Sequence, residues 1–118
     1  MILPFKDKAK LTRTCLKTLL KQKKDLLNIK ISLVNNNSKE RETFKFLSEY
    51  EKNEKKNISL EHDNNSFNYS KLNNNSVKNN SDFKPDYILF LNNDIEFQNE
   101  KTLEIMTSFL EENLKAAA

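Results

Sequence analysis

Tyr87-Ile88-Leu89-Phe90-Leu91-Asn92-Asn93-Asp94 is an apolar run that stops abruptly on two amides and a carboxylate. Its aliphatic and aromatic make-up, introduced by Pro85, predicts a strand buried on both faces of a sheet. Such a strand ends where the sheet meets solvent, and its last residues face the crevice beyond. Burial gives no reason for Asn92, Asn93 and Asp94 to stand together there. A site for a divalent cation and a phosphorylated ligand does, because hard cations take carboxylate and carbonyl oxygens. The bland alternative for Asp94 is a cap on the turn after the strand.

Working outward, strands and helices alternate. Ile2-Leu3-Pro4 reads as a short first strand. Asp7 is a candidate N-cap, and Leu11, Cys15, Leu16, Leu19 and Leu20 recur at helical spacing behind it. Ile29 to Val34 alternates and then turns fully apolar, as a strand does, and ends in Asn35-Asn36-Asn37-Ser38. Asn37 or Ser38 can cap the next helix, with Glu40 completing a capping box if Asn37 is the cap. That helix sets Phe44, Leu47 and Tyr50 on one side. After a charged connector at Asn53 to Asn57, Ile58-Ser59-Leu60 is a short strand, followed by a polar loop from Glu61 to Asn65. Phe67, Tyr69, Leu72 and Val77 make a weak helical stripe through asparagine-rich sequence, where the residue type is a poor helix former. Leu103, Met106, Leu110 and Leu114 give the last helix its stripe.

Alternation of this kind argues an α/β fold, a parallel sheet with helices on both faces. Right-handed crossovers set the first three strands in the order 3-2-1, with the fourth on the other side of strand 1. Ligands in such sheets sit at the carboxyl ends of the strands where the order reverses, between strands 1 and 4. The expected order is therefore 3-2-1-4, with Asp7, Asn35 and Asp94 opening onto one crevice.

Composition excludes several classes. The 118 residues amount to one domain with a modest core. No apolar stretch approaches the ~20 residues that span a bilayer, and the start does not read as a signal peptide. The single cysteine, Cys15, rules out a disulfide framework and fits a reducing cytoplasm. On the apolar stripe it reads as a small buried hydrophobe rather than a reactive thiol. The charge of +3 is mild, and Lys21, Lys23, Lys24, Lys55 and Lys56 are interspersed with acids. That describes a solvated face, with peripheral attraction to a membrane surface as the lesser reading. Basic residues are not interleaved with aromatics, which argues against nucleic acid. His62 reads as an ordinary histidine in a polar loop. The chain has no glycine, so neither a P-loop nor a dinucleotide turn can form in the usual way. A diphosphate would have to be met by a metal ion or by side chains.

The segments Ile2 to Lys8, Leu11 with Cys15-Leu16, Val34 to Ser38, Phe67 to Ser70 with Asn73-Asn74, and Leu89 to Asp94 resemble, in order and spacing, the family-2 glycosyltransferases. Those enzymes have the Rossmann-like GT-A fold and transfer a sugar from a nucleoside diphosphate. The resemblance implies a loop at Pro4 and Phe5 along the donor's base and ribose, and Asn35 where the family usually carries a base-reading aspartate. An amide there both donates and accepts, which leaves the base open. It implies Asn74 beside the nucleotide, with Asp7, Asn92 and Asn93 in the same nucleotide-sugar site. Asn92-Asn93-Asp94 resembles the family's Asp-X-Asp motif, whose final acid, here Asp94, holds Mn²⁺ or Mg²⁺. The implied partners are a nucleoside-diphosphate sugar, a UDP-sugar foremost, and a glycan or lipid-linked acceptor in cell-surface polysaccharide synthesis.

Family members continue past this motif into an acceptor region with an acidic base, and no carboxylate here matches that base. Residues 1–115 are accordingly expected to be the donor-binding portion of a GT-A domain, incomplete for catalysis as it stands, and 116–118 a cloning remnant. The alternatives are a non-catalytic nucleotide-binding remnant or interaction module with the same fold, and a phosphoacceptor receiver domain. A receiver requires an acidic pair after strand 1, where this chain offers Asp7 alone.

Overall fold

The computed structural model describes residues 1–22, 28–52 and 57–113. Lys23, Lys24, Lys55, Lys56, most of the connector before Asn57, Leu114 and the 116–118 tail lie outside the described residues. The chain runs β1 (Ile2–Phe5), α1 (Ala9–Leu20), β2 (Ile31–Asn35), α2 (Arg41–Lys52), β3 (Ile58–His62), α3 (Tyr69–Asn79) and α4 (Thr102–Glu112). β2 pairs in parallel with β1 on one side and β3 on the other.

Residue period 2 assigns the two faces. Leu3, Phe5, Ile31 and Leu33 join Cys15, Leu16 and Leu19 of α1 and Phe46 and Leu47 of α2 in the larger core. Ile2 and Val34 point the other way and meet Leu72 and Val77 of α3. Helices therefore cover both faces, as a parallel sheet requires. Burying a Leu or Val side chain contributes about 1.5–3 kcal/mol, so the smaller cluster leans heavily on Leu72.

The segment expected as the fourth strand lies where the topology puts it but is only partly a strand. Ile2 N–H donates to the Leu89 carbonyl at 2.9 Å, and Leu91 N–H donates back to the Ile2 carbonyl at 2.9 Å. In a parallel strand one residue's N–H and C=O point to the same side. The neighbouring Met1 carbonyl accepts from Ser32 of β2, so the segment sits on the opposite edge of β1. Its pairing is a single bridge, Ile2 to Phe90, and the sheet of the described residues has three strands, in the expected order 3-2-1. The expectation of burial on both faces is corrected. Leu89 and Leu91 pack into the larger core, while Ile88 and Phe90 are 44% and 45% exposed, because α3 covers β1 and β2 and not this edge.

Helix faces also shift from the sequence expectation. In α1 the buried positions are Ala9, Thr12, Cys15, Leu16 and Leu19, and Leu11 is exposed. In α2 Phe46 and Leu47 are buried and Phe44 is exposed. Phe67 and Tyr69 are exposed, leaving Leu72 as the anchor of α3. Met106 on α4 is exposed where Leu103 is buried. Asparagines hold α3 despite their poor propensity. Asn68 caps it by accepting from Lys71 N–H at 3.0 Å, and Asn80 at its end donates to the Ser76 carbonyl and to Glu61, both at 2.8 Å.

The chain after the Asn92–Asp94 turn is tied to α1 by polar side chains. Gln22, which is buried, donates to the Asn99 carbonyl at 2.6 Å and accepts from Leu103 N–H at 3.1 Å. Thr18 accepts from Phe97 N–H at 3.0 Å. No described helix is long and apolar enough to cross a membrane.

Candidate functional site

The carboxyl ends of the strands are aligned by register. Phe5 pairs with Asn35, and Asn35 with His62. Counting on from the Ile2–Phe90 bridge brings Asn93 level with Phe5. Asn35 and the Asn92–Asp94 turn thus stand at the same end of the sheet, two strand spacings or roughly 10 Å apart.

The rim between β1 and β2 is a clamp built without glycine. Asp7, Lys8 and Asn37 all have positive φ, 53°, 54° and 53°, which costs a side-chain-bearing residue on the order of 1–2 kcal/mol. Hydrogen bonds across the two loops offset this. Asp7 Oδ1 accepts from Lys39 N–H at 2.7 Å and Glu40 N–H at 2.8 Å. Asp7 N–H donates to Ser38 Oγ at 2.8 Å, and Lys8 N–H to Glu40 at 3.3 Å. Asp7 therefore does not cap α1, whose N-cap is Lys8 with no side-chain bond. It satisfies amides just ahead of α2, and the box expected from Asn37 and Glu40 gives way to this long-range carboxylate.

Pro4 and Phe5 are the last residues of β1 and are buried. Phe5 meets the Phe46 ring edge-on at 6.1 Å within the larger core, so Pro4 and Phe5 close a buried strand where the resemblance implied a loop. Asn35 is 6% exposed. Its Oδ1 accepts from Ser38 N–H at 3.3 Å, and its Nδ2 lies 3.2 Å from His62 Nδ1. A cavity of about 340 Å³ opens beside this pair, bounded also by Phe44, Leu47 and Asn64. His62 thus closes β3 rather than lying in a loop.

Asn36 and Asp63 organise the rim on the far side, a role that sequence reasoning missed. Asn36 is buried and donates through Nδ2 to the Asp63 and Asn65 carbonyls, each at 2.9 Å. The Asp63 carboxylate accepts from Asn65 N–H, Asn65 Nδ2 and Asn75 Nδ2. Those bonds, the Asn65 backbone first, hold it below the usual carboxylate range. The only signal in the sequence was the pile of amides after β2 and β3. A second cavity, about 280 Å³, lies between this loop and α3. Asn74 is exposed on α3 and lines neither cavity, whereas Asn75 lines the second.

The Asn92–Asp94 turn is open surface beside α1 and belongs to neither cavity. Asn93 Nδ2 donates to Thr12 Oγ1 at 3.2 Å, and the Cys15 thiol faces the Asn92 carbonyl at 3.9 Å. Burial, and then the Asp94 charge, push that thiol up to about 11. Because the thiolate is the nucleophile, Cys15 should stay unlabelled by a disulfide reagent at pH 8 in native buffer and react fully in urea. Rapid labelling of the native chain would contradict this burial.

No backbone N–H of a described residue donates to the Asp94 carboxylate, so the turn-capping role is not the one adopted; the Ile95 N–H goes to the Asn92 carbonyl at 3.4 Å. Asp94 is exposed, and its oxygens face solvent at the carboxyl end of the sheet. Among the described residues no three His, Cys, Asp or Glu side chains converge as a metal cage. A divalent cation takes six or more oxygens. The donor set therefore fits a cation shared with a diphosphate and does not fit one held by protein alone.

A parallel α/β sheet with helices on both faces and polar residues at its strand ends is the Rossmann-like arrangement of the GT-A fold. The chain matches the model of Glycosyl transferase family 2 over residues 1–118 and belongs to that family. Solved structures agree in fold. Staphylococcus aureus TarS 1-349 superposes with a TM-score of 0.75 at 23% identity, over 96% of this chain and 32% of that one. The same protein in complex with UDP-GlcNAc gives 0.76 at 23% identity, over 96% and 31%. The mannosyltransferase PcManGT from Pyrobaculum calidifontis, in complex with GDP-Man and Mn²⁺, gives 0.70 at 14% identity, over 92% and 31%. The chain thus spans about a third of the length of these structures. No curated protein sequence matches it.

Proposed function

We propose that these residues form the donor-binding part of a glycosyltransferase that moves a sugar from a nucleoside diphosphate, a UDP-sugar foremost, to a glycan or lipid-linked acceptor in cell-surface polysaccharide synthesis. The observation that carries the reading is the bare Asp94 carboxylate, at the same end of the sheet as Asn35 and across β1 from it. The separation suits a nucleoside at one side and its phosphates at the other. Asp94 would hold Mn²⁺ or Mg²⁺, with Asn92 and Asn93 beside it, and Asn35 would meet the base next to the end of β1 at Pro4 and Phe5. Asp7 keeps the rim in shape, and Asn74 flanks the nucleotide from α3. When bound, the cation supplies charge stabilisation to the departing diphosphate. Transfer itself is assigned to more chain than these 118 residues, in keeping with the threefold greater length of the similar structures. A cytoplasmic location, peripheral to a membrane surface, suits a lipid-linked acceptor.

Calorimetric titration of UDP tests the reading. UDP should bind at least ~10-fold more tightly with Mn²⁺ than with a chelator, while Mn²⁺ alone binds weakly because one carboxylate supplies too few oxygens. Equal affinity in both buffers removes the metal from the site. No binding in either overturns nucleotide recognition and leaves an interaction module of the same fold.

A further inference from the structure

We propose that His62 is a positioning residue that locks the Asn35 side-chain amide in one orientation, so that the site tells uracil from cytosine. The inference rests on the nucleotide-binding reading above and assigns a role to a residue at the end of β3 that the family resemblance does not mark.

The geometry fixes which way the amide points. A backbone N–H can only donate, so the Asn35 atom facing Ser38 N–H at 3.3 Å is the oxygen. The other terminus, facing His62 Nδ1 at 3.2 Å, is then the nitrogen. Nitrogen donates, so in this pairing His62 Nδ1 is the acceptor. These contacts use one lone pair of Oδ1 and one hydrogen of Nδ2. One acceptor and one donor position remain on the amide, and both Asn35 and His62 line the cavity of about 340 Å³.

Uracil and cytosine held in the same place ask opposite things of that edge. Uracil presents an N3–H donor next to the C4 carbonyl, and needs oxygen opposite N3 and N–H opposite the carbonyl. Cytosine presents an N3 acceptor next to an amino group and needs the reverse. An amide free to rotate by half a turn satisfies both. An amide held by Ser38 on one side and His62 on the other satisfies one and leaves the other base with donors facing donors, a mismatch worth ~10-fold or more in affinity. Ser38 alone, through one long bond, is a weak lock. The cross-strand acceptor completes it.

The test is titration of UDP and of CDP, each with Mn²⁺, into the wild-type chain, His62→Ala and His62→Asn, with thermal unfolding of all three. Wild type is expected to bind UDP ~10-fold or more tightly than CDP. His62→Ala should fold normally and bring that ratio close to 1. His62→Asn, whose side-chain oxygen can stand near the position of Nδ1, should restore much of it. A wild-type ratio near 1, a ratio unchanged in His62→Ala, no restoration by His62→Asn, or tighter binding of CDP each overturns the proposal. Failure of the wild type to bind either nucleotide overturns instead the donor-binding reading beneath it.

Discussion

Asp94→Asn should fold like the wild type and bind UDP with the same affinity in Mn²⁺ and in chelator. The expected loss of the metal-dependent gain is roughly 100-fold, since even groups that only orient a metal ligand are worth ~10–100-fold in metal affinity. Removing the charge matters more than removing the shape, because the amide keeps one oxygen but no longer balances a divalent cation. Stability should hardly change. The carboxylate is exposed and receives no described backbone hydrogen bond, so nothing in the fold depends on it. If Asp94 were instead a cap, Asp94→Ala, which removes the side-chain acceptor, would melt earlier by the equivalent of about 1 kcal/mol and UDP binding would be untouched in both variants. Calorimetry with thermal denaturation separates the two outcomes.

Phe46→Ala is expected to cost about 3–5 kcal/mol, a large part of the ~5–15 kcal/mol that holds a domain of ordinary stability together. Phe46 is fully buried. Its ring meets Phe5 edge-on at 6.1 Å and Tyr50 at 4.9 Å, with the Arg13 guanidinium 5.3 Å from its centre. The truncation therefore opens a cavity where β1, α1 and α2 converge, directly beneath the rim. Phe44→Ala, two residues earlier but 51% exposed, should stay within about 0.5 kcal/mol of wild type. Urea midpoints measured for both, with unchanged slopes, check the contrast. Comparable losses in the two variants would place the face of α2 wrongly.

That pair of phenylalanines shows where the sequence could and could not be read. β2 was legible because Ile29 to Val34 alternates and then turns apolar before its amides, and the 3-2-1 parallel order followed from alternation, whereas the apolar run Tyr87 to Leu91 read as a full strand and makes a single bridge. Helix faces slipped by a residue where small polar side chains are buried. Thr12 and Thr43 occupy core positions that a hydrophobic stripe assigns to Leu11 and Phe44. The site divides in the same way. Asn35 and Asp94 were visible as strand ends, a property of local sequence. Asp7 looked like a local cap, but its partners are 32 and 33 residues away, beyond any spacing rule. The facing of Asn35 and His62 depends on the β2–β3 register, which hydrophobic pattern alone does not set when β3 is short and half-buried.

The single bridge between β1 and the Tyr87–Leu91 segment has a consequence for how the chain behaves in a test tube. No described strand covers the segment's outer side, and an uncovered apolar edge is a template for pairing with another molecule. Two exposed acids bracket it, Asp86 before and Asp94 after. Two copies meeting along this edge would bring carboxylate against carboxylate, and that repulsion reaches ~10 Å at 0.1 M salt but only ~3 Å at 1 M. Dilute buffer therefore keeps the molecules apart and brine lets them cling, the reverse of ordinary salting-in. The two acids that bracket the edge act as bumpers, and their reach is set by the ionic strength of the solution.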